Sequence, residues 1–133
     1  MNHRKTVAIT SSWGETIGYS RAIRAGQLIF VSGTTASGPD GKALHSGDAG
    51  AQAQVILERI VAALAELGAG PEHVVETRIY LTDMKNWEGV GRAHGAVFRD
   101  VRPATTMVQV GPLIAPDLLV EISAVASLAS GEG

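Results

Sequence analysis

Glu121 is the single carboxylate in the apolar run Leu118-Leu119-Val120-Glu121-Ile122-Ser123-Ala124-Val125-Ala126. An unpaired charge inside such a strand is costly, so Glu121 must face a polar partner, water or a ligand. A carboxylate held in this way can orient a water, move a proton or accept a hydrogen bond from a bound molecule. Just upstream, Arg102-Pro103-Ala104-Thr105-Thr106-Met107-Val108-Gln109-Val110 places two hydroxyls, Thr105 and Thr106, at the start of another strand. If the two strands are neighbours, hydroxyls and carboxylate mark a small-molecule cleft at the end of a sheet. Thr105 and Thr106 point to opposite faces, because side chains alternate along a strand.

Other chemistry is sparse. His94 falls on the apolar stripe of a helix, and its ordinary pKa suits acid–base work near Glu121. His3, His45 and His73 fall in the tail or in loops and read as solvated. Arg92 lies close to the same helical stripe as His94; Arg59 and Arg102 are further cations for an anionic ligand. No histidine pair has helical metal-ligand spacing and no acidic cluster replaces one, so no metal and no cofactor are expected. Gly89-Val90-Gly91 lies inside a helical pattern and is no phosphate loop. With no cysteine in the chain, disulfides and thiolate catalysis are excluded.

The bulk properties bound the rest. The 133 residues suit one domain, 1–133, with a real core. Hydrophobic content of 45% against 18% charged residues is a globular balance. A net charge of −2 and no basic run beyond Arg4-Lys5 give no general nucleic-acid surface. No apolar stretch reaches the ~20 residues of a membrane span, and the N-terminus has no apolar core like that of a signal peptide. A soluble cytoplasmic protein is the expectation.

The periodicities that must position these groups run in the order β-β-β-α-β-α-β-β. Short strands are predicted at 6–9, 19–24 and 28–32, the last two joined by a turn at Ala25-Gly26-Gln27. Residues 34–47, rich in glycine and containing the Gly38-Pro39-Asp40-Gly41 turn, form a loop. Asp48 opens a helix as its N-cap; Ala53, Leu57, Ile60, Val61, Leu64 and Leu67 make its stripe, and Gly68 ends it. Residues 74–81 form a strand with Val75, Thr77, Ile79 and Leu81 on one face and Glu76, Arg78 and Tyr80 on the other. Thr82 or Asp83 caps a second helix over 85–99, with Trp87, Val90, His94 and Val97 inward. Strands near 104–110 and 117–127 follow.

Two helices cover one face of such a sheet. The last strand is apolar on both faces, and nothing in the chain remains to cover the second. Self-association is therefore expected.

These blocks, in this order, resemble the RidA (YjgF) family of small imine deaminases. The likeness covers about 17–126: Ile17-Gly18-Tyr19-Ser20-Arg21-Ala22, Gly26 through Gly33, Gln52 and Leu57, Thr77 through Met84, Pro103-Ala104, and Val120-Glu121-Ile122. The resemblance implies an α+β, chorismate-mutase-like fold: a mixed sheet with two helices packed on one face. It also implies a homotrimer with a small-molecule cleft between neighbouring subunits. Glu121 and His94 would handle water and protons there. Tyr19, Ser32, Gly33, Thr105, Met107 and Arg92 would bind substrate.

The departures are equally informative. Active members of the family carry an arginine directly after Pro-Ala, which grips the substrate carboxylate through a two-pronged hydrogen bond. Here that position is Thr105. Gly91 stands where many members have asparagine, His94 where they often have tyrosine, and Met107 where some have cysteine. The chain thus resembles the arginine-lacking branches. Expected is hydrolysis of a C=N or related bond in something other than the usual 2-imino acids. The alternative is a non-catalytic trimer that binds a metabolite or a partner. The acidic charge balance argues against an endoribonuclease.

Overall fold

The structure, a computed structural model, describes residues 4–129. His3 and the tail from Ser130 lie outside the described residues. The elements are β1 (Arg4–Val7), β2 (Ala22–Ala25), β3 (Leu28–Thr34), α1 (Ala49–Glu66), β4 (Val74–Leu81), α2 (Trp87–Phe98), β5 (Ala104–Gln109) and β6 (Val120–Ser127). They follow the expected order and build an α+β mixed sheet, β1-β2-β3-β6-β4-β5. Its edge pair β4–β5 is parallel and the other pairs are antiparallel.

Local chemistry explains the elements. Gly26, at φ +62°, makes the two-residue turn between β2 and β3, a conformation glycine adopts without steric cost. The Asp48 carboxylate accepts from the Ala51 N–H at 3.0 Å and caps α1. Gly68, at φ +87°, stops that helix. The Arg24 guanidinium reaches from β2 to the Leu67 carbonyl at 3.1 Å, which places a cation at the negative end of the α1 dipole. Where the two helices cross, Gly50 and Gly89 meet: a side chain at 50 would come within 3.4 Å of the Gly89 carbonyl oxygen.

Strand order follows from the crossovers. β3 and β4 run parallel, joined through α1, and leave a gap of one strand. β6 fills it antiparallel to both. β4 then passes through α2 to the parallel β5. The core lies between the sheet and the helices, built from Ile56, Leu57, Ile60 and Leu64 of α1 against Ile29, Ile79, Leu81 and Ile122.

Several local expectations are corrected. β5 pairs with β4 and not with β6, so the hydroxyls at 105 and 106 are one strand removed from Glu121. A bulge between Val74 and Glu76 inserts an extra residue and turns Val75 outward, 49% exposed, with Val74 in the core instead. Trp87, expected inward, begins α2 and is 55% exposed; the buried stripe starts at Val90. Tyr19 precedes β2 and closes a π-helical turn, Gly14–Gly18, that the sequence pattern does not mark. His73 is not merely solvated: its Nδ1 accepts from the Gly70 N–H at 3.0 Å.

Among the described residues, no element packs over the second face of the sheet as the helices do over the first. Leu28, Phe30 and Val108 are 42%, 44% and 39% exposed there. No helix among the described residues is long and apolar enough to cross a membrane, so these side chains are not part of a helical span.

Candidate functional site

β6 sends Val120, Ile122, Ala124 and Ala126 into the core, and Glu121, Ser123 and Val125 to the open face. In the ladder with β4, Tyr80 stands opposite Glu121 and Arg78 opposite Ser123. Glu121, Tyr80, Ser123 and Gly33 share the wall of a cleft of about 410 Å³. Val110, Gly111, Pro112 and Leu113 form its rim. Sequence reasoning placed Tyr80 on a face but missed it as a site residue, and the same holds for Ser123. Their alternation with Thr77, Ile79 and Ile122 was the signal that could have found them.

The Glu121 side chain makes no hydrogen bond or ion pair among the described residues. Burial raises its pKa above the ordinary carboxylate value, because desolvation penalises the ionised form. The carboxyl lies directly over Gly33, in the irregular stretch of β3 between Val31 and Thr34. A Cβ at 33 would overlap the carboxyl oxygen and come within 3.0 Å of the carboxyl carbon. The Gly33→Ala substitution is therefore expected to swing the carboxyl aside. A crystal structure of the variant checks this, and any activity that depends on Glu121 should fall with it.

Gln52 anchors the rim loop. Wholly buried in α1, its amide donates to the Asp117 carbonyl at 2.9 Å and the His45 carbonyl at 3.3 Å, and its oxygen accepts from the Leu119 N–H at 2.9 Å. These bonds fix the root of the 110–119 loop at the entry to β6. Sequence reasoning used Gln52 only as a marker of the first helix.

Thr105 lies elsewhere. Its neighbour across the parallel ladder is Thr77, which is fully buried on the helix side of the sheet. The Thr77 hydroxyl is 2.8 Å from the Thr105 hydroxyl and 2.8 Å from His94 Nε2. Thr105 also donates to the Pro103 carbonyl at 3.2 Å. The two 2.8 Å contacts admit either direction; with Thr105 donating to the Pro103 carbonyl, which can only accept, the protons run toward it. Thr77 then donates to Thr105, and His94 donates to Thr77 through Nε2–H. The neutral imidazole keeps its lone pair on Nδ1. Burial lowers the His94 pKa, which favours this uncharged form.

The expectation that Thr105 and Glu121 line one cleft within a chain is therefore corrected. Period-two alternation and the intervening β4 put them on opposite faces of the sheet. His94 goes with Thr105, and Thr106 is the threonine on the Glu121 face. Met107 packs beside Ile79 toward the core. Arg92 is exposed and pairs with Glu88 one helical turn away. Arg59 donates to the Thr35 and Ser37 carbonyls at 2.7 and 2.8 Å and ties down the loop after β3. The Ser32 hydroxyl donates to the Ser20 carbonyl at 2.7 Å. Neither Ser32 nor Tyr19 lines the Glu121 cleft within one chain.

No group of three or more potential metal-ligating side chains occurs among the described residues. The arrangement offers instead a desolvated carboxyl beside a tyrosine and a serine on one face. A hydroxyl–imidazole relay occupies the other.

Comparison with known proteins agrees with this fold. The family described as Endoribonuclease L-PSP matches residues 11–128. A solved YjgF/YER057c/UK114-family protein of Mycobacterium tuberculosis is 46% identical, with a TM-score of 0.84, covering 93% of this chain and 98% of that one. The YjgF gene product of E. coli is 26% identical, with a TM-score of 0.78, over 92% and 98% of the two chains. Among curated relatives, the protein named 3-aminoacrylate deaminase RutC of Acinetobacter baylyi is 34% identical over 108 residues, 81% of this chain and 85% of the relative. With its family pattern, its sheet order and these likenesses spanning nearly its whole length, the chain belongs to the RidA/YjgF family, the one described as Endoribonuclease L-PSP.

Proposed function

We propose that the protein is a homotrimer with a ligand cleft at each seam, where it hydrolyses a C=N bond, or the enamine that tautomerises to one, with release of ammonia. Glu121 carries the reading. It is a carboxyl without a protein partner among the described residues, desolvated and set in a cleft of about 410 Å³. Ionised, it takes a proton from water as the water oxygen attacks the imine carbon. Protonated, it returns that proton to the nitrogen; the carboxylate then takes the proton of the new hydroxyl and delivers it to the same nitrogen, so that the C–N bond breaks, ammonia leaves and the oxygen stays as the carbonyl.

Glu121 lies on the open face and the His94–Thr77–Thr105 relay on the other. One chain cannot bring both to a small ligand; a second copy can. The uncovered Leu28, Phe30 and Val108 supply an apolar surface for that association. Sedimentation equilibrium at micromolar concentration should give three times the chain mass; a monomer would end this part of the reading.

The substrate differs from the usual 2-imino acids, because Thr105 offers one hydroxyl and no charge. A guanidinium fork makes two charge-assisted bonds worth about 1.5–3 kcal/mol each, so its absence weakens such acids by roughly a hundredfold or more. The relative named as a 3-aminoacrylate deaminase makes that enamine, whose nitrogen sits one carbon further from the carboxylate, a candidate to test. Ammonia release should be measured from 2-aminoacrylate, 3-aminoacrylate and neutral imines, with wild type and Thr105→Arg. Wild type is expected to act weakly on 2-aminoacrylate, and Thr105→Arg to improve it. Robust wild-type turnover of 2-aminoacrylate would remove the role given to position 105. The same missing charge also supports a second reading, a metabolite-binding trimer without catalysis. That reading gains if no substrate releases ammonia while a metabolite raises the melting temperature.

A further inference from the structure

On the helix side of the sheet, a second hollow of about 310 Å³ opens between the end of α2 and the turn that follows it. His94, Gly95, Phe98, Arg99, Arg102 and Pro103 line it. Its chemistry is unlike that of the Glu121 cleft, with two guanidinium groups and no acid in the lining. Arg78, Lys85 and Arg92 each have an acidic partner; Arg99 and Arg102 have none among the described residues.

Arg102 is held there at a cost. Its φ is +56°, a left-handed conformation that disfavours a side chain by roughly 1–2 kcal/mol. The Arg102 N–H donates to the Phe98 carbonyl at 2.8 Å, and Nε donates to the Arg99 carbonyl at 3.1 Å. Those bonds finish α2 and leave both terminal nitrogens of Arg102 without a partner among the described residues. Glycine would end the helix at lower cost, so a capping role does not explain an arginine here. Arg99 folds back along α2 toward Gly95, where a Cβ would stand 4.0 Å from Nη2. The bare backbone at 95 keeps the floor of the hollow open. The neighbouring His94 has its Nε2 committed to the Thr77 hydroxyl.

We propose that this hollow is an oxyanion site in which Arg99 and Arg102 hold the carboxylate or phosphate of a small ligand whose apolar part rests on the half-buried His94 ring and Pro103. A planar fork of donors matches both kinds of anion. The His94 ring and Pro103 favour a ligand with a flat or aliphatic body. The site lies on the other face of the sheet from Glu121, and it stands or falls independently of the reading of that cleft.

The full-length protein should be titrated calorimetrically, and by thermal shift, with phenylacetate, acetate and inorganic phosphate. Wild type is expected to bind phenylacetate more tightly than acetate. Phosphate binding ahead of both would assign the site to a phosphate-bearing ligand on the same two arginines. Arg102→Gly is the decisive variant, because glycine accepts φ +56°. Without anion its melting temperature should equal or exceed that of wild type, while its affinity for the anion falls about tenfold, the loss of one charged hydrogen bond. Arg99→Gln should lose a similar factor, and Glu121→Gln should lose none. Unchanged affinity in both arginine variants would overturn the proposal. So would a wild type that binds none of the three anions.

Discussion

Glu121→Gln is expected to lower ammonia release about 10²–10⁴-fold, the usual contribution of a positioned acid–base group, and at the same time to stabilise the fold at neutral pH. The two effects share one cause. Burial raises the folded-state pKa of Glu121 above its ordinary 4.5. Between 4.5 and the raised value, the folded protein holds a proton that the unfolded chain has lost. Stability therefore declines as pH rises through that window, and the full cost persists above it. Glutamine is isosteric and carries no charge at any pH. The stability gap between variant and wild type should be near zero below pH 4.5, open across the window and stay open at pH 7. Urea unfolding at a series of pH values reads this, with turnover measured alongside. A carboxyl kept only for structure would give the opposite sign, with the variant less stable at neutral pH.

Gln52→Ala is the substitution expected to damage stability most, by about 3–5 kcal/mol. The Leu119 N–H and the Asp117 carbonyl would lose their partner in a part-buried setting, toward the lower end of about 1–3 kcal/mol each. The missing side-chain volume adds a cavity term. Gln52→Leu keeps the volume and strands the same backbone groups, so it should lose most of the same stability. Urea midpoints for the pair separate hydrogen bonding from packing. If leucine rescues the fold, the bonds at 2.9 Å to Asp117 and Leu119 contribute little. Both variants free the root of the 110–119 loop and should also weaken any ligand held in the Glu121 cleft.

Much of this arrangement is legible in the sequence because alternation and helical spacing are local signals. The β6 pattern, with Glu121 and Ser123 between apolar neighbours, already separates the two faces. Asp48, Gly26 and Gly68 mark their caps and turn by chemistry that admits few alternatives. The order of strands is not local. That β6 would enter between β3 and β4, and so separate Thr105 from Glu121, depends on the two crossovers through α1 and α2. Odd and even positions within β5 were predictable, yet which face each would share with Glu121 was not, until β4 was known to lie between. The bulge at Val75 shifts a register by one residue, and no residue type announces it. The role of Gln52 was hidden because its partners are backbone groups tens of residues away.

β5 forms an outer boundary of the sheet, with β4 on one flank only. The other flank presents a row of backbone donors and acceptors along six residues, beside an outward Val108. Nothing in the strand blunts this edge: it carries no proline, no lysine and no bulge. A solitary copy is thus a template for indiscriminate strand addition. Prompt, correct assembly would then protect the newly made chain from clumping as much as it would complete any chemistry.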